Sequence, residues 1–198
     1  MKYTQNNEEE HILRHFDGRP AGRFMDIGAF AAMDLSNTRA LVERGWKGVM
    51  VEPSPVPFTG LLKAYGSTAG IELVNAAVTD GAPGLVEWFD SGGDAISTTV
   101  TDHRDKWAAS GIKYTRSWVY MMPMSALFDR FGFDFDFLSL DVESANFQLF
   151  TALPLDRLER LRMIVIEHDN QWQEMLRRAS PHGYSLVAIN GENLILSR

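Results

Sequence analysis

The sequence contains no cysteine. Disulfides, thiolate metal ligands and cysteine nucleophiles are thereby excluded, and stability has to come from packing. Long apolar runs are missing too. Every hydrophobic stretch is interrupted well short of the ~20 residues that a membrane-spanning helix needs, so no membrane partner is expected. Met1 to Glu10 is polar and acidic, the reverse of the basic-then-apolar layout of a secretory signal, and the expected location is cytoplasmic. Positive charge is scarce: 19 Lys and Arg against 26 Asp and Glu give a formal charge of −7. Such a balance repels a polyphosphate backbone, and on that ground no nucleic acid partner is expected. What is present is core material. A chain of 198 residues, 45% hydrophobic and 11% aromatic, suits a single domain over 1–198 that buries about 70% of its unfolded surface.

Apolar runs rich in β-branched residues alternate with segments of helical period, which predicts an α/β fold whose mostly parallel sheet is joined by crossover helices. Strands are expected over 23–28, 48–52, 71–78, 135–141 and 163–167. The run 71–78 is almost continuously apolar, as a strand buried on both faces should be. Helices are expected over 7–16, 36–44, 57–65, 125–131, 145–153 and 171–179. Two short runs joined by Asn190-Gly191 close the chain as an antiparallel hairpin. Between Gly81 and Met122 the pattern loosens into a hairpin around Leu85 to Phe89, a Gly92-Gly93 loop, and a polar stretch with Ser97, Thr98, Thr99, His103 and Trp107. That length suits a lid or substrate insertion at about 81–122, or irregular cover over the sheet.

The carboxylates sit where strands end. Asp26, Glu52, Asp141 and Glu167 all fall at or beside the end of an expected strand, and in an open parallel sheet the ligand crevice lies outside those carboxyl ends. Gly28 follows the first strand by one residue, but the chain continues Ala29-Phe30-Ala31-Ala32-Met33 with no further glycine. A dinucleotide fingerprint needs three glycines to make room for a pyrophosphate, so a nicotinamide-dependent oxidoreductase is disfavoured. One glycine beside an acid suits a nucleoside that carries an amino acid tail. Glu52 offers two oxygens to the two hydroxyls of a ribose, and Ala76 with Ala77 leaves a flat apolar slot for adenine.

Several blocks resemble the FkbM-type S-adenosylmethionine-dependent methyltransferases: Phe24-Met25-Asp26-Ile27-Gly28-Ala29, Val51-Glu52-Pro53-Ser54-Pro55, Val74-Asn75-Ala76-Ala77-Val78, Phe137-Leu138-Ser139-Leu140-Asp141-Val142-Glu143 and Val165-Ile166-Glu167. The resemblance implies a Rossmann-like class I methyltransferase fold, a seven-stranded sheet with helices on both faces and a C-terminal antiparallel hairpin. It implies methyl transfer from S-adenosylmethionine, usually to oxygen, without fixing the acceptor, and a small-molecule or sugar hydroxyl is the acceptor expected here. By the same carry-over Asp26, Gly28 and Ala29 line the methionine side of the cofactor, Glu52 and Pro53 the ribose, Asn75, Ala76 and Ala77 the adenine, and Asp141 faces the methyl group. After the fourth strand the family reads close to Lys-x-Asp-x-Glu-Gly-x-Glu, whereas this chain has Ser139, Asp141, Glu143, Ser144 and Asn146. The lysine, the glycine and the second acid are absent, which leaves room for an altered acceptor or for a non-catalytic module that binds the cofactor only.

An alcohol acceptor must lose a proton, and the candidate catalytic bases are Asp141, Glu143 and His168, with Glu167 and His103 beside them. Glu143, Glu167, His168 and Asp169 could instead hold a divalent cation, although no spacing here is a metal signature and no metal is assigned. A monomer or homodimer is expected.

Overall fold

The computed structural model describes residues 3–143 and 145–198. Its main sheet has seven strands in the order β3-β2-β1-β7-β8-β10-β9. These are β1 (Arg23–Ile27), β2 (Lys47–Val51), β3 (Ile71–Val74), β7 (Phe137–Leu140), β8 (Met163–Glu167), β9 (Ser185–Asn190) and β10 (Asn193–Ser197). Neighbours from β3 to β8 run parallel, and β10 runs antiparallel to both β8 and β9. The chain builds outward from β1 to β3, then returns to lay β7 on the other side of β1. The reversal of strand order therefore falls between β1 and β7, where a parallel sheet opens a crevice at its carboxyl edge.

The apolar strands hide a period of two. Met25, Ile27, Val49, Val51, Leu138, Leu140, Ile164 and Ile166 face one core, whereas Phe24, Met50, Phe137, Met163 and Val165 face the other. The first core takes α5 (Met124–Phe131), α6 (Asn146–Ala152) and α7 (Trp172–Ala179) through Phe128, Phe150 and Met175. The second takes α1 (Glu8–His15), α2 (Arg39–Glu43) and α3 (Pro55–Tyr65) through Ile12, Phe16, Leu41 and Leu61. Both sheet faces are covered, which is why the strands read as unbroken apolar runs.

Two expectations need correction. The run 71–78 is two strands, because β3 ends at Val74 and β4 (Ala77–Thr79) belongs to a second sheet of order β4-β6-β5. Asn75 makes the break: its Nδ2 donates to the carbonyls of Glu52 and Pro53 at 2.8 and 3.1 Å, which draws the chain away from the sheet edge. Nor is the stretch after Gly81 loose. β5 (Gly84–Asp90) contains no turn, and it pairs antiparallel with β6 (Thr115–Pro123) along its whole length. Residues 91–114 leave and rejoin this ribbon, carrying α4 (Thr101–Ala108). The ribbon has its own small core of Ala77, Trp88 and Val119. Among the described residues no helix is long and apolar enough to cross a membrane.

Gly28 closes the β1–β7 junction. Its N–H and that of Ala29 both donate to the carbonyl of Val51, at 2.9 and 3.0 Å, and its φ is +84°. A Cβ there would lie 1.6 Å from the carbonyl oxygen of Asp141. The glycine is thus required by the protein's own backbone, before any ligand is considered. Gly28→Ala is expected to cost about 2–4 kcal/mol, since it adds a clash to an unfavourable φ. Urea unfolding measures this, and a loss below about 0.5 kcal/mol would mean that the two strand ends part freely.

Candidate active site

A cleft of about 820 Å³ lies over the carboxyl ends of the central strands, roofed by β5 and α4. Gly28, Phe30, Glu52, Pro53, Ala76 and Ala77 line one half of it, and Asp141, Glu143, Glu167 and Asp169 line the other. Trp88 from β5 and His103 and Trp107 from α4 face them across the opening. The structure thus brings together most of the residues picked out from strand ends. Asp26, Ala29 and Asn75 stand outside the lining.

Each of those three acts from behind the wall. Asp26 is 3% exposed and accepts a hydrogen bond from Thr38 Oγ1 at 2.5 Å, bracing the 35–38 segment, of which Leu35 and Asn37 reach the cleft. Burial raises its pKa to about 6 against the hydroxyls of Thr38 and Ser139. Ala29 packs into the second core. Asn75 fixes the two carbonyls next to Glu52.

Glu52 is 5% exposed, and both of its oxygens are engaged by main-chain donors, Oε2 by Phe30 N at 2.9 Å and Oε1 by Ser54 N at 2.7 Å. Burial pushes its pKa up to about 7 in spite of those donors. Each carboxylate oxygen keeps a second lone pair for a ligand.

The opposite half is a carboxyl cluster organised by one amide. Asn146 is fully buried at the start of α6; its Oδ1 accepts from Val142 N at 2.8 Å, and its Nδ2 donates to Glu167 Oε2 at 2.6 Å and to Asp169 Oδ1 at 3.5 Å. An amide can accept and donate at once, which an ionised carboxylate could not. Glu143 sits at φ +52°, a left-handed conformation that is costly for a side chain of this size. Its Oε2 lies 3.4 Å from His103 Nε2. Burial, then the charges of Asp141, Glu167, Glu192 and Asp169, lift the pKa of Glu143 to about 9. Burial and the charge of Asp141 raise the pKa of Glu167, and burial raises that of Asp141. Burial lowers His103, with Lys106 adding to the effect. Ser144 lies outside the described residues.

His168 lines the cleft, but its ring is committed to the loop. Nδ1 accepts from Asn170 N at 3.0 Å and Nε2 faces the carbonyl of Gly191 at 3.2 Å, which places the ring proton on Nε2. It ties the end of β8 to the hairpin turn. Among the described residues no three His, Asp or Glu side chains are placed to hold a metal ion. Sequence reasoning passed over Glu8, which is fully buried, accepts from Asn193 Nδ2 at 3.1 Å and reaches the cleft. A run of three glutamates at a helix start reads as solvated charge, so nothing in the sequence marked it.

These carboxyls give the folded chain a distinctive response to pH. Their folded pKa values stand above the ordinary carboxylate value of about 4, so the folded state holds protons that the unfolded chain releases. Their contribution to stability is therefore fully present below about pH 4 and is lost as pH rises toward 9, as Asp141, Glu52, Glu167 and Glu143 ionise in the folded state. Glu143→Gln, which cannot ionise, should flatten that fall and melt higher than the parent at pH 9, each kcal/mol being worth about 2–4 °C. Parallel melting curves at pH 5, 7 and 9 check this; an unchanged slope would remove Glu143 as its source.

No protein-family model matches the sequence, and no curated protein matches it. Solved structures share its fold. Human methyltransferase 10 domain containing protein superposes with a TM-score of 0.50 at 13% identity, over 96% of this chain and 78% of that one. The delta-N METTL16 MTase domain does so with 0.50 at 12% identity, over 96% and 79%. Methanococcus jannaschii fibrillarin, a pre-rRNA processing protein, is also similar, with 0.42 at 13% identity over 89% and 65%. The expectation of no nucleic acid partner, drawn from net charge, does not stand, because a sum over the whole chain says nothing about the field at one surface. The mostly parallel seven-stranded sheet with its C-terminal antiparallel hairpin is the Rossmann-like fold of the class I methyltransferases.

Proposed function

We propose that this chain is an S-adenosylmethionine-dependent methyltransferase with an FkbM-like cofactor site, and that it is an enzyme and no mere binding module. The observation that carries the reading is the division of one continuous cleft at the β1–β7 junction. On one side stand Gly28, Glu52, Ala76 and Ala77, and on the other Asp141, Glu143 and Glu167. The first set fits the cofactor: Glu52 keeps lone pairs for two ribose hydroxyls and the two alanines leave a flat apolar wall for adenine, while at the boundary of the second set Asp141 Oδ1 is buried without a hydrogen-bond partner among the described residues. S-adenosylmethionine supplies a methyl group on a positively charged sulfur, with a neutral leaving group.

What remains for the protein is alignment and the acceptor's proton. Asp141 ends β7 beside the Gly28 turn and holds the boundary between the two halves. Glu143, carried into the cleft by its left-handed backbone, is the proton acceptor in its ionised form, which its raised pKa reserves for alkaline pH or for a cation in the cleft. Glu167, held by Asn146, is close enough in charge to tune it. The ribbon β5–β6 with α4 covers the site and acts as the substrate insertion. A hydroxyl, which the FkbM resemblance favours, and an amine both present a removable proton to such a base.

Calorimetry with S-adenosylmethionine and S-adenosylhomocysteine should show binding of both. Glu52→Gln should weaken it by about 10- to 100-fold, since a hydrogen bond to a charged group is worth roughly 1.5–3 kcal/mol, while urea unfolding reports whether the variant still folds. Binding of NAD with neither of these compounds bound would defeat the reading.

A further inference from the structure

We propose that the methyl acceptor is an aliphatic amine, held as its ammonium ion by Glu143 and Glu167 and walled by Trp88 and Trp107; the inference rests on the methyl-transfer reading above. The charge inventory of the cleft comes first. Among the described residues that line it, nine are Asp or Glu, and Lys106 is the sole lysine or arginine. Five of those acids, Asp141, Glu143, Glu167, Asp169 and Glu192, gather at the acceptor end and act on one another electrostatically. An anionic acceptor would meet like charge at each one that ionises and would hold Glu143 and Glu167 in their protonated form. A neutral alcohol would bring nothing to offset the cost of ionising them. An ammonium ion lets two of them ionise, so its binding recovers the energy that their burial costs.

The walls give an independent reason. Trp88 is 5% exposed, and neither its indole N–H nor that of Trp107 has a hydrogen-bond partner among the described residues. Both side chains line the cleft. Indole faces attract cations, as the Lys106 ammonium 5.3 Å from the centre of the Trp107 ring already shows, and the two unpaired N–H groups call for an acceptor atom on the rest of the ligand, since an ammonium ion has none. Glu143 adds a third. A left-handed backbone at a non-glycine residue is costly and persists where the surrounding structure enforces it. Here it keeps a carboxyl in the cleft at 22% side-chain exposure with His103 alongside.

The chemistry balances. The ammonium gives one proton to the Glu143 carboxylate, and the lone pair so freed attacks the methyl carbon in line with its bond to sulfur. That bond breaks with its electron pair left on sulfur, which becomes a neutral thioether. The nitrogen finishes as an N-methylammonium ion, so one positive charge has passed from sulfur to nitrogen, and the Glu143 proton leaves to water.

The test compares three probes of one shape on the full chain, n-pentylammonium, 1-pentanol and pentanoate, with binding read by tryptophan fluorescence and saturation-transfer NMR. It is run with and without S-adenosylhomocysteine, whose own binding is measured separately, so that a failure of the cofactor reading shows as a failure of that arm alone. The ammonium ion should bind at least about tenfold tighter than the alcohol, and pentanoate weakest. Glu143→Gln should erase the preference; if that variant does not fold, Trp107→Ala should weaken the ammonium ion and leave the alcohol where it was. Equal binding of ammonium and alcohol, no binding of either, tighter binding of pentanoate, or methyl transfer to an RNA oligonucleotide in place of an amine would overturn the proposal.

Discussion

The contact between Gly28 and the Asp141 carbonyl decides where everything else can stand. At the ends of β1 and β7 the two backbones approach so closely that no side chain fits between them, while Asp141 N donates to Ile27 O at 2.9 Å. This seam is the point at which strand order reverses. It holds the turn after β1 against the turn after β7, and so places a cofactor-sized half-cleft and a carboxyl half-cleft side by side with one backbone thickness between them. The glycine's positive φ serves that approach first; any ligand inherits the room.

Around the seam the polar groups are braced mainly by side-chain amides and main-chain N–H groups. Asn75 holds the carbonyls of Glu52 and Pro53, Asn146 holds Glu167 and Val142, and Glu52 holds the N–H groups of Phe30 and Ser54. Arginines are kept for the opposite edge of the sheet. There Asp136, 1% exposed, accepts from Arg19, Arg160 and the main chain of Arg23. The division is physically economical. A buried carboxylate with guanidinium partners has its lone pairs committed to them, whereas one braced by amides and main-chain donors keeps lone pairs for a ligand. The chain spends its cations where stability is wanted and withholds them where chemistry is.

The parts of this arrangement that a reader of the sequence can reach are those set by local pattern. Alternation of apolar strands and helical segments, the Asn190-Gly191 turn and acids at strand ends suffice for the order of elements and for Glu52, Asp141, Glu143 and Glu167 at one edge. The missed features depend on partners far along the chain. Nothing between residues 71 and 78 announces that Asn75 will bind two carbonyls some 22 positions earlier. β5 and β6 are 24 residues apart, and long-range antiparallel pairing leaves no turn signature at either strand. Glu8 is buried by asparagines of the last hairpin. His168 reads as a base in sequence because the carbonyl and N–H that occupy its ring come from loop geometry.

The electrostatic demand of the carboxyl half follows from the two side chains beneath it. Ser139 on β7 contributes a small hydroxyl that accepts from Asn37 and supports Asp26, and it brings no charge. Asn146 contributes an amide, which fixes Val142 and Glu167 in orientation without adding a carboxyl to the cluster. A cation at the first position would leave neighbouring carboxyls ionised and paired; an acid at the second would add repulsion and, when ionised, could not donate to Glu167. The site therefore keeps its carboxyl geometry while its demand for positive charge is left to a ligand.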